Sequence, residues 1–162
     1  MLKEKLLKTK KCDHTSVGMF VWNDGKLLLI ERKRFPFGFA VPAGHVDGDA
    51  SFEIAAVREL GEEVSLKALD LELILDIRKD NPCRREDGTW HHWKLYKVNV
   101  SGELSRSLGE TKQARLFTVD QIKDLSKRTE KYMRKEISED EWEKSPGLEP
   151  VMYELFKELN II

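Results

Sequence analysis

Three glutamates and one arginine fall within six residues, in the order Arg58, Glu59, Glu62 and Glu63. On a helix with about 100° per residue, Glu62 lies about −60° and Glu63 about +40° from Glu59, so the three carboxylates share one face. Carboxylates this close repel one another unless a hard cation compensates their charge through oxygen coordination. The spacing favours a Mg²⁺ site, with Mn²⁺ as the substitute ion, although a pair of glutamates taken alone is more often part of a solvated helix face.

The acids lie on a segment with the periodicity of an amphipathic helix. Ser51 is a suitable N-cap, and Ala56, Leu60 and Val64 recur every four residues, which predicts a helix over about residues 51–64. Leu60 and Val64 lie roughly 100° to 140° from Glu59 on the same wheel, so the helix can bury one side and direct its acids toward a cleft.

The rest of the chain predicts a mixed sheet followed by helices. The Asn23-Asp24-Gly25 step predicts a hairpin, and 33–38 and 43–49 are predicted loops. From Val119 the pattern becomes helical, with a break at Ser145-Pro146-Gly147 and a last helix over about 149–159. The lysine-rich start predicts either disorder or a short helix. Strand-like runs cover 14–22, 26–31, 39–41, 69–78, 89–100 and 114–118.

Residues 44–66 read GHVDGDASFEIAAVRELGEEVSL. This segment resembles the Nudix box, which is written as G, five residues, E, seven residues and R-E-U-x-E-E-x-G-U, with U apolar. Two positions depart from it, because Ala50 stands where the family has its first glutamate and Ser65 where it has a glycine. The spacing of Asp49 and Glu53 disfavours both as substitutes for that glutamate. Matching positions are Gly44, Arg58, Glu59, Leu60, Glu62, Glu63 and Leu66.

The resemblance implies a fold and an activity. The expected fold class is α/β (α+β), a Nudix-type α/β/α sandwich around a mixed β-sheet. We expect one domain over 1–162, with the likeness strongest over 14–125 and a C-terminal helical extension over about 119–162. The implied activity is metal-dependent hydrolysis of a diphosphate linkage in a nucleoside triphosphate, or in a nucleoside diphosphate joined to another group.

The resemblance also implies a metal-ligand set. Glu59 and Glu63 would be the principal ligands of Mg²⁺, Glu62 an additional ligand, and the backbone carbonyl of Ala43 a fourth. Bridging cations would neutralise the diphosphate and activate the attacking water.

Two further residues are expected to act in catalysis. Arg58 would orient Glu59 by a charge-assisted hydrogen bond, with a surface ion pair as the alternative. Family members differ in whether a box glutamate or a later loop acid activates water, so Glu110 is a second candidate beside Glu59 and Glu62.

Candidate substrate-binding residues surround the box. Arg32 and Arg34 precede the box loop, where they either contact phosphates or solvate a turn. Gly44 opens the box, and Phe39 is one of several aromatic residues that could stack on a nucleobase, although aromatic residues on strands are more often core residues. A basic cluster surrounds the predicted turn 80–88. It either binds a longer polyphosphate or a dinucleotide or consists of ordinary turn charges, and the second interpretation is preferred. Its members are Arg78, Lys79, Arg84 and Arg85.

The cysteines and histidines do not form a recognisable metal motif. Cys12 and Cys83 form no CxxC pair and are expected to be free thiols. His91 and His92 are neighbours on a predicted strand, where alternation sends them to opposite faces and prevents them from chelating one ion. Packing or base stacking is therefore the expected role of these histidines.

Composition excludes some partners. The chain of 162 residues has 28 Lys and Arg against 29 Asp and Glu, so its charge gives no general attraction to nucleic acid or to anionic membranes. No run reaches the roughly 18 to 20 apolar residues of a membrane span, and the start lacks the apolar run of a secretory signal, so a cytoplasmic location is expected. The expected partner is a small nucleotide-like diphosphate substrate.

Two alternatives remain open, together with one question of assembly. Ala50 motivates a non-catalytic Nudix-fold module that binds a nucleotide or a protein. An isoprenoid diphosphate isomerase of related fold would need further catalytic residues, and no cysteine motif supports it. The apolar stripe of residues 142–162 is expected to dock on the domain or to form a homodimer interface.

Overall fold

The structure is a computed structural model that describes residues 10–162, so the expectation for the lysine-rich start falls largely outside the described residues. The strands are β1 Thr15–Phe20, β2 Trp22–Asn23, β3 Lys26–Arg32, β4 Phe39–Ala40, β5 Ala43–Gly44, β6 Lys67–Ala68, β7 Glu72–Lys79, β8 His91–Lys97, β9 Val100–Ser101 and β10 Thr111–Phe117. The helices are α1 Phe52–Val64, α2 Val119–Met133, α3 Glu139–Lys144 and α4 Pro150–Glu158.

The strands form two four-stranded sheets and one short pair. The first sheet has the order β5-β1-β8-β7, in which β1 and β8 are parallel and the other neighbours antiparallel. The second has the order β10-β3-β2, with β4 also paired to β3. β6 pairs with β9. The predicted strand 14–22 therefore divides at Val21, because β1 pairs within the first sheet whereas β2 pairs with β3 in the second.

The predicted hairpin is confirmed between β2 and β3. Trp22 pairs with Leu27 and Asn23 with Lys26. Asp24 and Gly25 both have positive φ, 50° and 74°, which a two-residue type I′ turn requires. The loop predicted over 43–49 is partly wrong, because Ala43 and Gly44 form β5 against β1 and so place the start of the box in a sheet.

Alternation along the strands produces a core on each side. Met19 packs in the cluster that contains Leu60 of α1, whereas the next residue, Phe20, packs in the cluster that contains Met152 and Phe156 of α4. Strands buried on both faces are typical of sheets covered by helices on each side. The arrangement confirms the mixed α/β sandwich with α1 on one side and α4 on the other.

Helix α1 begins and ends as its sequence predicts. The side chain of Ser51 accepts a hydrogen bond from the backbone N–H of Ile54, and the helix ends at Ser65 with φ 61° and ψ 24°. A non-glycine residue in this left-handed conformation costs about 1 kcal/mol, so the departure from the family glycine affects stability without changing where the helix ends.

The C-terminal region packs on the domain. The charged stretch after Val119 is divided into α2 and α3, and the break predicted at 145–147 precedes α4. The core buries four apolar residues of α4, namely Val151, Met152, Leu155 and Phe156. Of the two expectations for the apolar stripe, docking on its own domain is therefore the one that the structure shows. No helix among residues 10–162 is long and apolar enough to cross a membrane.

Candidate active site

Two acids of α1 are buried beneath β5. The side-chain oxygen Oε1 of Glu63 accepts a 3.0 Å hydrogen bond from the backbone N–H of Ala43. Glu59 lies against Gly44 so closely that a Cβ atom at position 44 would be 2.1 Å from its Cδ. The contact between β5 and α1 therefore fixes both carboxylates, and the glycine is what allows it.

Arg58 joins the acids to the preceding loop. Its Nη1 donates to Glu59 Oε1 at 2.9 Å and to Glu62 Oε2 at 3.2 Å. Its Nη2 donates to the backbone carbonyl of His45 at 3.0 Å, and its Nε to Asp49 Oδ2 at 2.7 Å. Four acceptors in the plane of one guanidinium give a fixed orientation, as the sequence predicts for Arg58 and Glu59.

Asp49, the residue before Ala50, is a partner of Arg58. The box loop turns at Asp47, where φ is 56°, and the N–H of Asp49 donates to Val46 O at 3.2 Å. This turn directs the Asp49 carboxylate to the Nε of Arg58. Glu53, the other alternative, instead accepts a hydrogen bond from the Tyr96 hydroxyl.

Burial raises the pKa of both inner acids. The pKa of Glu59 rises to about 7 because burial penalises its charged form, while Arg58 opposes the shift. Burial and the neighbouring Glu59 raise the pKa of Glu63 well above its ordinary value. Two buried carboxylates that lack sufficient positive charge are the environment that a hard cation stabilises.

The raised pKa of Glu59 predicts how stability depends on pH in protein kept free of metal by a chelator. The folded state holds this proton up to about pH 7, whereas the unfolded value is 4.5. Stability is therefore fully present below the unfolded pKa and is lost as pH rises through about 7, by roughly 3 kcal/mol at about 1.4 kcal/mol per pKa unit. Urea unfolding between about pH 5 and about pH 8 measures this loss.

Glu59→Gln is the comparison for this measurement. The variant carries no charge at position 59, so its stability should fall less over the same pH range; Glu63 still titrates in both proteins. Identical pH dependence in the two proteins would contradict the assignment. Adding Mg²⁺ should restore the wild type at high pH and have a much smaller effect on the variant.

The cleft above these acids is lined by residues of both charges. Arg34, Arg84 and Glu110 reach it from loops and are exposed. Partial desolvation in the cleft, together with the neighbouring Arg34 and Arg32, lowers the pKa of Arg84, which indicates crowded positive charge. Among residues 10–162, neither Arg34 nor Arg84 forms an ion pair or a side-chain hydrogen bond.

The structure distributes the remaining candidates unequally. Arg32 lines the cleft, but its Nε donates to the Pro36 carbonyl at 2.7 Å and lies 3.8 Å from Oε2 of Glu149. The Glu149 carboxylate therefore already compensates part of the positive charge of Arg32. Glu62 lies at the outer edge, with its side chain 53% exposed. Phe39 does not reach the cleft: it is 6% exposed and packs edge-on against Phe117, with ring centroids 5.2 Å apart.

Arg84 lines the cleft, although the sequence interpretation preferred an ordinary turn charge to a contact with a polyphosphate or a dinucleotide. The signal was available as two adjacent arginines in a loop longer than a hairpin requires. The sequence could not predict that the loop between β7 and β8 lies against the cleft. Arg85, by contrast, is bound to Asp47 through two hydrogen bonds, and this pairing lowers the pKa of Asp47 to about 2.

A second, more apolar cavity adjoins the cleft. Pro36, Asn81, Pro82 and Glu149 line both. The second cavity also has aromatic walls, from Phe35, Phe37, Tyr132 and Trp142. The rings of Tyr132 and Trp142 are stacked with centroids 4.0 Å apart. A charged cleft next to an aromatic cavity suits a ligand that has an anionic part and a planar apolar part.

Comparison with known proteins identifies the family of this chain. The family model described as NUDIX domain matches residues 13–138, a longer span than the 14–125 expected from the motif. The structure of a MutT NUDIX hydrolase from Burkholderia pseudomallei is similar, with 25% identity, a TM-score of 0.58, and coverage of 66% of this chain and 84% of that chain. No curated protein gives a significant match.

Two further solved structures share the fold. A NUDIX family hydrolase from Clostridium perfringens has 16% identity and a TM-score of 0.60, with 91% of this chain and 95% of that chain covered. The NUDIX domain of Shewanella oneidensis NrtR, solved with ADP ribose, has 19% identity and a TM-score of 0.57, with 74% and 80% covered. Nudix hydrolases generally use divalent metal ions. The family match together with the box acids on α1 shows that this chain belongs to the NUDIX domain family and is a hydrolase of phosphoric anhydrides.

Proposed function

We propose that this enzyme hydrolyses a diphosphate linkage in a nucleoside triphosphate, or in a nucleoside diphosphate joined to another group, in the presence of Mg²⁺. The observation that carries the proposal is one cleft with two buried carboxylates, Glu59 and Glu63, on one wall and the unpaired arginines Arg34 and Arg84 on another. Carboxylates suit a hard cation and arginines suit phosphate oxygens. A diphosphate bridged to a metal ion satisfies both.

The residues present fit a Mg²⁺ ion. Glu59 and Glu63 would hold it, with Glu62 at the outer edge and the backbone carbonyl of Ala43 as further oxygen donors. The fit is supported by the raised pKa values of the two inner acids, since both lack the positive charge that such an ion would provide. When bound, Mg²⁺ neutralises charge on the diphosphate and lowers the pKa of water.

The protein's own groups perform the remaining tasks. Arg58 holds Glu59 in its orientation, and Asp49 holds Arg58. Arg34 and Arg84 bind phosphate oxygens of the substrate. Glu110 lines the cleft at an exposed position, where its carboxylate can accept a proton from the attacking water. We assign it as the candidate general base because it is the exposed acid outside the box that lines the cleft, whereas Glu149, which also lines it, is buried beside Arg32.

The aromatic cavity is proposed to hold the nucleobase. Phe35 and Phe37 line this cavity. We therefore propose that these two residues, and not Phe39, stack on the base. A related domain that binds ADP ribose supports a substrate with a nucleoside diphosphate core. Because the cleft and the aromatic cavity are adjacent, one substrate can place its base in the cavity and its diphosphate in the cleft.

Phosphate release tests the function directly. The panel comprises dNTPs, NTPs, ADP-ribose, dinucleoside polyphosphates and nucleotide sugars, each with and without alkaline phosphatase, over a range of Mg²⁺ and Mn²⁺ concentrations. Turnover by the wild type, absent in Glu63→Gln, supports the proposal and identifies the substrate class. Silence across the panel from a folded protein that binds the metal would refute it in favour of a binding module.

Asp49→Asn is expected to lower kcat about 10-fold to 100-fold, the usual cost of losing a residue that positions a metal ligand. The change removes the charge that holds Arg58, while KM and the melting temperature should stay close to those of the wild type. Steady-state kinetics at saturating Mg²⁺ measure the effect.

Asp24→Asn is the matched control for this measurement, since Asp24 lies in the remote β2–β3 turn at a positive φ that asparagine adopts readily. A second-site Ala50→Glu change restores a carboxylate at the family position and should recover part of kcat in the Asp49→Asn background. An unchanged kcat in Asp49→Asn, or a loss confined to KM, would contradict a positioning role.

A further inference from the structure

A second cluster of metal-ligating side chains lies on the wall of the cleft. It consists of Cys12, His45, Cys83 and His91, and one ligand atom from each lies within 4.8 Å of all the others. Cys12 and His91 are buried and the other two are half-buried. We infer that these four residues bind one Zn²⁺ ion as a Cys₂His₂ site, separate from the metal site of the box acids.

The distances suit tetrahedral zinc. With Zn–S near 2.3 Å and Zn–N near 2.05 Å, a tetrahedral ion separates a sulfur from a nitrogen by about 3.6 Å. The Sγ of Cys12 lies 3.5 Å from Nε2 of His45 and 3.3 Å from Nε2 of His91. The donor set also selects the ion, because thiolate and imidazole favour zinc over Mg²⁺.

Both sulfurs accept hydrogen bonds that stabilise a thiolate. The backbone N–H of His14 donates to Cys12 Sγ at 3.3 Å, and the N–H of Arg85 donates to Cys83 Sγ at 3.4 Å. In each case the donor is two residues after the cysteine. Gly88 makes room for the second sulfur, since a Cβ atom there would be 2.2 Å from Cys83 Sγ. The two cysteines thus have the same local arrangement although they are far apart in sequence, and neither forms a disulfide.

His91 directs one ring nitrogen into the cluster. The residue is 2% exposed, and its Nε2, the atom that would bind the ion, lies 3.3 Å from Cys12 Sγ. His92 points to the other face, as the strand alternation predicts, and its Nε2 lies 2.6 Å from Asp76. Sequence reasoning excluded a site shared by the two histidines correctly, but it missed that His91 meets Cys12, Cys83 and His45.

Four protein ligands leave no open position, so the ion would be structural and not catalytic. It would join the segment before β1, the box loop, the loop between β7 and β8, and the start of β8. The backbone carbonyl of His45 accepts a hydrogen bond from Arg58, so the same ion would also fix the loop that supports the box acids. A structural metal of this kind makes folding depend on the ion.

The test measures zinc in the full-length protein after dialysis against a weak chelator. About one Zn²⁺ per chain is expected in the wild type, and little in Cys12→Ser, Cys83→Ser and His91→Gln. His92→Gln is the matched control, because it changes the neighbouring histidine on the opposite face, and it should retain zinc. Glu63→Gln should also retain zinc, which separates this proposal from the proposed hydrolysis.

Cobalt gives a readout that needs no variant to fold. Adding Co²⁺ to chelator-treated wild type under reducing conditions should produce thiolate-to-cobalt charge-transfer absorption and the intense visible bands of a tetrahedral ion, and Zn²⁺ should abolish both. The proposal is overturned if wild type and Cys83→Ser contain the same amount of zinc. It is also overturned if Co²⁺ gives no charge-transfer band, or if unreduced protein carries a Cys12–Cys83 disulfide.

Discussion

Glu63→Gln is expected to lower Mg²⁺-dependent kcat/KM by more than about 100-fold, since changes in residues that only position a metal ligand already cost about 10-fold to 100-fold. Glu63 is 4% exposed and is held by the backbone N–H of Ala43. Glutamine keeps the volume and one oxygen for that N–H, so the main change is the loss of a negative charge at the metal. Initial rates over a Mg²⁺ titration measure the effect.

The same substitution should leave the metal-free protein intact. Burial raises the pKa of the Glu63 carboxyl, so a neutral amide is at least as well tolerated as the ionised acid, and thermal unfolding in a chelator should not weaken near neutral pH. Glu53→Gln on the same helix is the control, because Glu53 is exposed and the Tyr96 hydroxyl can still donate to the amide oxygen. Wild-type turnover by Glu63→Gln would eliminate the proposed metal site.

Gly44→Ala is expected to lower kcat/KM by about 100-fold or more, because displacement of a catalytic group by about 1 Å has a cost of that size. The new Cβ would lie 2.1 Å from Cδ, 2.3 Å from Oε1 and 2.6 Å from Cγ of Glu59. Either β5 or the Glu59 side chain must move, and both belong to the proposed metal site. Stability should also fall, by about 1 to 3 kcal/mol.

Gly48→Ala provides a matched control four residues further on. A Cβ at position 48 has no neighbouring atom within 4 Å, so this variant should keep wild-type activity although it adds the same methyl group to the loop that follows β5. The comparison is made by kinetics and by Mg²⁺ binding in both variants. Equal activity of the two proteins would show that β5 does not need to approach Glu59 so closely.

Local periodicity was sufficient to predict the catalytic helix. The cap at Ser51, the apolar spacing through Leu60 and Val64, and the common face of Glu59 and Glu63 all depend on residues within one helix. The hairpin at Asp24-Gly25 was predictable for the same reason, since two adjacent residues determine the turn. The family followed from the motif on that helix.

Long-range packing decided which other residues reach the site. Phe39 is aromatic and could have stacked on a nucleobase, but β4 places it in the core beside Phe117. Arg84 is a charged residue in a predicted turn, where such residues are common, but the loop between β7 and β8 brings it to the cleft. Asp49 reaches Arg58 only because the box loop turns at Asp47. None of these outcomes is determined by spacing along the chain.

The sequence by itself determined the family, the hairpin and the helix with its acids, because each is encoded by residues close together along the chain. The tertiary structure alone decided that Asp49 bonds Arg58 and that Cys12 meets His91 across 79 residues. Pairwise contacts at such separation depend on how sheets pair and loops close, which no local periodicity encodes.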